Sequence, residues 1–510
     1  MLDTGNKYKR SLKQSIDWVL VGIYLVLIVL GIVNIYAAIH SADGVSFFSF
    51  DGRSGKQLVW MGTSFFLAFM ILFVISPRLW EPAAIPMYLA VLVLLVVVIF
   101  VSKDVKGSHS WFEFGPVKFQ PAEISKITTS LMLAMVMSRP NFKLSRIKDF
   151  LTVCAVVGIP MLAILGESET GSALVYVGFI FALYREGLSG WFLVIIGMAI
   201  VLLIMTLTAG PYASILTLIA LVSLIYSLEK NRFGKWLVTD AIFLLVMALF
   251  PTIWNSILNA LIPGASLAMV TEDPSVKEAI LCTTNLDFLL LFKPLYLLLA
   301  VIGIGVPIYA VKAFREAHPF TWYSLACVLA GVVLVFSTNI LFEKVLQDHQ
   351  RKRIEVLLGL KEDPAGVGYN VNQSMIAIGS GGLFGKGYLQ GTQTAYGFVP
   401  EQSTDFIFCT VGEEWGFAGC LLIIMLYVAL IWRILHDAED CRESFTRIYG
   451  YCVACCIFMH LFINVGMTIG LMPVIGIPLP LLSYGGSSLW AFTILIFIFL
   501  ALYRQEKKYF

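Results

Sequence analysis

Asp405 closes a polar, glycine-rich stretch and opens an apolar one: Pro400-Glu401-Gln402-Ser403-Thr404 precedes it and Phe406-Ile407-Phe408 follows. A carboxylate at such a boundary could act as a general base, taking a proton from a hydroxyl nucleophile. In the first turn of a helix, the expected position, the helix dipole would favour its ionised form. The plainer role is helix capping, which Ser, Thr and Asp fill routinely, and asparagine separates the two because it caps equally well but accepts no proton. Glu413 and Glu414 follow at i+8 and i+9, so Glu413 could share a divalent cation, Mg2+ or Mn2+, with Asp405, or be a buried, hydrogen-bonded glutamate. That cation is the one cofactor these residues suggest. A second charged group is Glu123 with Lys126, at i and i+3 behind Pro121, which suits a first helical turn. Either they pair with each other, or Lys126 meets a phosphate or a second carboxylate. Glu169, in the polar break Gly166-Glu167-Ser168-Glu169-Thr170-Gly171, is the candidate.

Weaker signals surround these. The stretch Gly107-Ser108-His109-Ser110-Trp111-Phe112-Glu113-Phe114-Gly115 interleaves aromatic rings with small polar residues, so Trp111 is either an interfacial anchor or a stacking face for a sugar. Arg351-Lys352-Arg353 could meet an anionic ligand. The run Gly379-Ser380-Gly381-Gly382 to Gly385-Lys386-Gly387 fails as a nucleotide phosphate loop, since Ser380 stands where the first glycine is needed and Gly387 follows the lysine. What remains is main chain whose amides could approach a pyrophosphate, or plain turn chemistry. Cys452 and Cys455 have CxxC spacing with His460 nearby, but no second pair answers them and the setting is an apolar span. Neither a metal site nor a disulfide framework is inferred.

The elements that must position these groups are membrane spans. Hydrophobic residues make up 59% of the chain and charged ones 13%, with a mean hydropathy of +0.85, more apolar surface than a soluble core can hide. Windows long enough to cross a bilayer fall near 18–39, 57–77, 81–101, 122–138, 150–166, 171–186, 190–208, 213–229, 236–262, 292–312, 321–341, 404–433, 446–468 and 484–503, about 14 in all. Basic residues gather at one set of ends: Arg139, Lys143, Arg146, Lys148, Lys230, Arg232, Lys235, Arg433, Arg442, Arg447, Lys507 and Lys508, with Lys7, Lys9, Arg10 and Lys13 ahead of the first span. Positive-inside logic then places both termini in the cytoplasm and the segments 102–120 and 342–403 outside. No nucleic-acid partner is indicated.

Three stretches in order resemble the shape, elongation, division and sporulation family of peptidoglycan polymerases, the RodA and FtsW proteins. They are Phe119-Gln120-Pro121-Ala122-Glu123-Ile124-Ser125-Lys126; Gly368-Tyr369-Asn370 through Gln373-Ser374 and Gly379-Ser380-Gly381-Gly382 to Thr404-Asp405-Phe406-Ile407-Phe408; and His460 to Asn464 followed by Gly476-Ile477-Pro478-Leu479-Pro480-Leu481-Leu482-Ser483-Tyr484-Gly485-Gly486-Ser487-Ser488. Gly391-Thr392-Gln393 is similar to the RodA branch. The resemblance implies an all-α polytopic membrane fold with a family core of about ten spans, here enlarged by about four, and a large extracytoplasmic loop. The expected organisation is 1–210 as the N-terminal part of the core, 211–319 as an inserted group, 320–341 as a core span, 342–403 as the outer loop and 404–510 as the rest of the core.

The implied activity is that of a glycosyltransferase of the bacterial inner membrane that joins lipid II units into β-1,4 glycan strands during cell elongation. A class B penicillin-binding protein would serve as transpeptidase partner beside other elongation-complex membrane proteins. Asp405 matches the family's essential aspartate, Glu123 and Lys126 its buried pair, Trp111 its outer-loop tryptophan, and Glu169 a position where the family usually writes Asp-Leu-Gly. Asp405 is the expected catalytic residue, and Glu123, Lys126, Trp111 and Glu169 with Arg351, Arg353, Lys386, Gln393 and Ser483 make up the expected substrate-binding set. Two departures stand out: Glu169-Thr170-Gly171 replaces the usual pattern, and Ser403 stands where a histidine often precedes Thr-Asp. An α-linked pyrophosphate at the muramyl C1 and a β product require inversion. The acceptor hydroxyl therefore needs a base and the departing pyrophosphate a positive partner. A lipid II flippase, with Lys126, Glu123 and Glu169 as a headgroup or proton path, and a non-catalytic scaffold are the other readings.

Overall fold

The computed structural model describes residues 16–40, 52–102, 110–114, 117–229, 233–261, 294–316, 319–344, 346, 348–361, 363 and 366–509. His109, Gly115, Lys7 to Lys13, Lys230 and Arg232 lie outside the described residues. The chain divides into two compact units, residues 1–189 with 353–510, and residues 190–352. Among the described residues, eleven helices are long and apolar enough to cross a membrane, and Thr170–Arg185 is a shorter apolar one. The protein is a multi-pass membrane protein.

The first unit begins with α1 (Trp18–Ile39), whose N-terminal amides at Val19 and Leu20 are received by the Asp17 carboxylate at 2.9 and 3.3 Å. Then come α2 (Arg53–Phe69), extended by a π-helical turn at Met70–Val74, and α3 (Trp80–Val101). A two-stranded antiparallel hairpin, β1 (Phe112–Phe114) with β2 (Val117–Phe119), leads into α4 (Pro121–Met137), which opens on Pro121, where no amide donor is needed. After α5 (Ile147–Gly166) the polar break at 167–169 separates it from α6 (Thr170–Val177) and α7 (Phe179–Arg185).

The second unit holds α8 (Trp191–Glu229), α9 (Phe233–Leu261), α10 (Pro294–Glu316) and α11 (Pro319–Lys344). Within α8, Gly210 is non-helical (φ 82°, ψ 174°) and Pro211 follows. Thr206 Oγ1 reaches Ser214 Oγ at 3.0 Å, whereas eight residues of straight helix span about 12 Å, so the segment folds back as a helical hairpin. Its halves match the two windows read at 190–208 and 213–229.

The unit boundary falls within α12 (Asp348–Leu357); α13 (Val367–Ser380), the single-turn α14 (Thr392–Ala395), α15 (Ile407–Glu439), α16 (Ser444–Thr468) and α17 (Gly486–Tyr509) complete the first unit. The apolar windows of α16 and α17 are each 78% buried, against 22–44% for α1, α2, α3 and α5. These two helices are therefore the axis of the first unit, and polar side chains on them face protein. At one end of this unit Arg433 pairs with Asp17, Arg447 with Glu186 at 2.9 Å, Arg185 with Glu439 at 2.6 Å and Lys507 with Asp440 at 3.3 Å.

Candidate functional site

At the opposite end, Asp405 lies in the turn that precedes α15, two residues before the first helical residue rather than in the helix's first turn. The reason is a competing hydrogen bond: Asn464 Nδ2 on α16 donates to the Asp405 carbonyl at 2.8 Å and to the Ile477 carbonyl at 2.6 Å. The N-cap position falls to Phe406. The neighbouring backbone is clamped as firmly. Ser483 Oγ donates to the Thr404 carbonyl at 2.6 Å and receives the Leu479 amide at 2.8 Å, and the Tyr484 amide donates to the Ser403 carbonyl at 2.9 Å. Ser483 thus holds the turn that carries the carboxylate. A Cβ on Gly476 would stand 3.4 Å from Asp405 Oδ2, so this glycine lies directly beside the acid.

Arg53, at the start of α2, donates to Ser403 Oγ at 2.6 Å, lies 3.8 Å from Glu401 and sits over the Tyr484 ring at 5.8 Å. Sequence reading missed it. The available signal was a basic residue at the end of a span opposite to the ends where the other basic residues gather. A cavity of about 440 Å³ opens here, lined by His40, Arg53, Tyr396, Glu401, Gln402 and Ser403 among others.

The glycine-rich stretch does something other than cradle phosphate. α15 is interrupted at Gly416 (φ 66°, ψ −163°), which strips neighbouring backbone groups of their helical partners. The 382–387 segment supplies replacements: Lys386 N donates to Glu413 O and Gly387 N to Glu414 O, both at 3.0 Å, while Phe417 N donates to Gly382 O at 2.9 Å and Ala418 N to Leu383 O at 3.0 Å. Main chain against main chain leaves no room for side chains. A Cβ at Gly385 (φ 81°) would meet Glu414 O at 2.0 Å, and one at Gly381 would meet Gly412 O at 1.9 Å. Gly385→Ala is expected to lower stability by about 1–3 kcal/mol or more through overpacking and positive-φ strain, read as a drop in the thermal midpoint in detergent.

Glu413 completes the arrangement as a buried, hydrogen-bonded glutamate. Its carboxylate accepts from Lys386 Nζ at 2.7 Å, Thr392 Oγ1 at 3.2 Å, and the amides of Gln393 and Thr394 at 2.8 and 2.9 Å. Among the described residues no three His, Cys, Asp or Glu side chains are grouped to hold a metal ion. Of the expected substrate-binding set, Lys386 is tied to Glu413 and to Thr392 Oγ1, and Gln393 meets Glu413 through its backbone.

Lys126 resolves in favour of the local pair, with an addition. Its Nζ lies 2.8 Å from Glu123 Oε1 and 2.8 Å from His460 Nε2, and all three side chains are buried. Glu169 is not its partner: Gln120 Nε2 donates to both carboxylate oxygens at 2.7 and 2.6 Å, Ser110 Oγ at 2.6 Å and Ser172 Oγ at 3.0 Å. Burial raises the Glu169 carboxyl above its ordinary value despite these donors, and burial, then the Glu169 charge, pushes Glu167 up to about 9. Trp111 leads into β1 beside Ser110 and is partly exposed. Arg353 Nη1 donates to the Val474 carbonyl at 2.8 Å, on the loop that flanks Asp405, while Arg351 belongs to the other unit and lies 3.9 Å from Asp348.

Fold and site together define a polytopic helical membrane protein with a clamped carboxylate turn at one end of its bundle. The model of the FTSW_RODA_SPOVE family, described as "Cell cycle protein", matches residues 17–242 and 316–508, and the chain belongs to that family. The peptidoglycan glycosyltransferase MrdB of Escherichia coli (strain K12) is 40% identical over 217 residues, 42% of this chain and 57% of that protein, so the match spans little more than half of the relative's length. The peptidoglycan glycosyltransferase RodA of Treponema pallidum (strain Nichols) is 28% identical over 477 residues, 93% of this chain and 94% of that one. The crystal structure of the Thermus thermophilus rod shape determining protein RodA has a similar fold, with a TM-score of 0.51 at 21% identity over 96% of this chain and 97% of that one. A structure titled for the coordination of polymerization and crosslinking by a peptidoglycan synthase complex scores 0.55 at 21% identity, covering 96% and 98%.

Proposed function

We propose that this protein is a peptidoglycan glycosyltransferase that polymerises lipid II into β-1,4 glycan strands during cell elongation, with Asp405 as general base. The observation that carries this reading is the clamp on the Asp405 turn: backbone carbonyls at 403, 404 and 405 are each held by a different donor, and the half-buried Asp405 carboxylate stands beside Gly476. A fixed base beside an acceptor hydroxyl contributes about 10² to 10⁴ in rate. Arg53, beside the same turn, supplies positive charge near the reacting groups, and Glu123 with Lys126 supports the site from within the bundle. The names of the relatives and family membership agree with this activity. By the charge bias, the end carrying Asp405 is extracytoplasmic, both termini are cytoplasmic and the protein resides in the bacterial inner membrane.

A class B penicillin-binding protein is the proposed partner, alongside elongation-complex membrane proteins, and lipid II the substrate. Residues 243–315, which the family model does not match, fall inside the 211–319 stretch proposed as an insertion. The test is glycan formation from lipid II in detergent by the purified chain with its cognate class B protein. Strands are expected. Transfer of lipid II between leaflets of a vesicle with no polymer in detergent would favour a flippase, and growth supported with neither activity a scaffold.

A further inference from the structure

His460 is buried in the centre of the first unit, at 1% exposure, and nothing in the chemistry above uses it. It lies on α16 one turn before Asn464, so the two side chains share a face. That face grips one dipeptide. His460 Nδ1 lies 3.1 Å from the Pro478 carbonyl, and Asn464 Nδ2 donates to the Ile477 carbonyl at 2.6 Å and onward to the Asp405 carbonyl at 2.8 Å. The other ring nitrogen, Nε2, lies 2.8 Å from Lys126 Nζ, itself 2.8 Å from Glu123 Oε1. Because a Glu123-paired ammonium can only donate, Nε2 accepts and Nδ1 carries the proton that goes to Pro478. The Phe492 ring stands edge-on to the imidazole, centroids 4.9 Å apart at 86°, and fixes its plane. Just before the gripped dipeptide is Gly476, which lies against the Asp405 carboxylate.

We infer that His460 is a positioning residue for the proposed reaction: it couples the Glu123–Lys126 pair to the 476–478 segment and so fixes where the Asp405 carboxylate stands. This rests on the reading of Asp405 as base. An imidazole suits the task because it accepts on one side and donates on the other across a rigid ring. Glutamine can reproduce both bonds with one amide, and leucine fills the space with neither. Without the ring's two bonds the 476–478 segment loses its tie to α4, and the base drifts relative to the acceptor hydroxyl while the substrate's remote contacts persist.

The experiment is steady-state lipid II polymerisation by the purified chain with its cognate class B protein, comparing wild type, His460→Leu, His460→Gln and Asp405→Asn, with the thermal midpoint of each. His460→Leu is expected to lower kcat by about 10- to 100-fold with KM within about threefold, and His460→Gln to restore most of it. Equal activity of Leu and wild type overturns the inference, as does equal loss in Leu and Gln, which would mean that ring volume alone matters. A raised KM at unchanged kcat overturns it too. An active Asp405→Asn enzyme instead overturns the base reading itself, so the two failures are distinguishable.

Discussion

Asp405→Asn is expected to lose glycan polymerisation, by about 10² to 10⁴-fold in rate, while the protein keeps its fold. The hydrogen bonds that Asn464, Ser483 and Tyr484 make to this turn go to backbone oxygens, which the substitution leaves in place. An amide is nearly isosteric with a carboxylate but does not take up the proton that a sugar hydroxyl must release. The measurement is strand formation from lipid II by wild type and variant, each purified with the partner, beside thermal midpoints that should agree within a few degrees. Elongation by the amide form at the wild-type rate would remove the general base from the mechanism.

The second large effect is on stability. Lys126→Met is expected to destabilise the protein by about 3–5 kcal/mol, because it leaves the Glu123 carboxylate buried without its cation. Glu123 and Lys126 are each 2% exposed, and Glu123 Oε2 already lacks a hydrogen-bond partner, so little can compensate. Adding Glu123→Met in the same chain should recover much of the loss, since two apolar residues in an apolar setting carry no desolvation penalty. Thermal or denaturant unfolding in detergent reads both variants. A Lys126→Met protein as stable as wild type would mean that the pair contributes nothing to the fold.

The membrane-spanning pattern was legible in the sequence because long apolar runs have few alternatives: the windows at 18–39, 81–101 and 446–468 correspond closely to α1, α3 and α16. Even the hairpin in α8 was written locally, in Gly210-Pro211. The Glu123–Lys126 pair was legible too, since i and i+3 on one helix is a local relation. What stayed hidden depended on partners far apart in the chain. His460 reads as a lone histidine beside cysteines until Lys126, 334 residues away, is brought against it. Arg53 and Ser403, 350 residues apart, gave no joint signal. The glycines at 381 and 385 suggested amides open to a pyrophosphate, whereas they allow close approach to a broken helix, and only the conformation of Gly416 reveals the groups waiting there.

That docking has a kinetic corollary. Amide protons at 386, 387, 393 and 394 belong to a stretch that any loop count would assign to surface linker, yet each donates to an oxygen on α15. Deuterium should therefore enter these positions as slowly as it enters the bundle, and this segment should loosen with the helix rather than ahead of it.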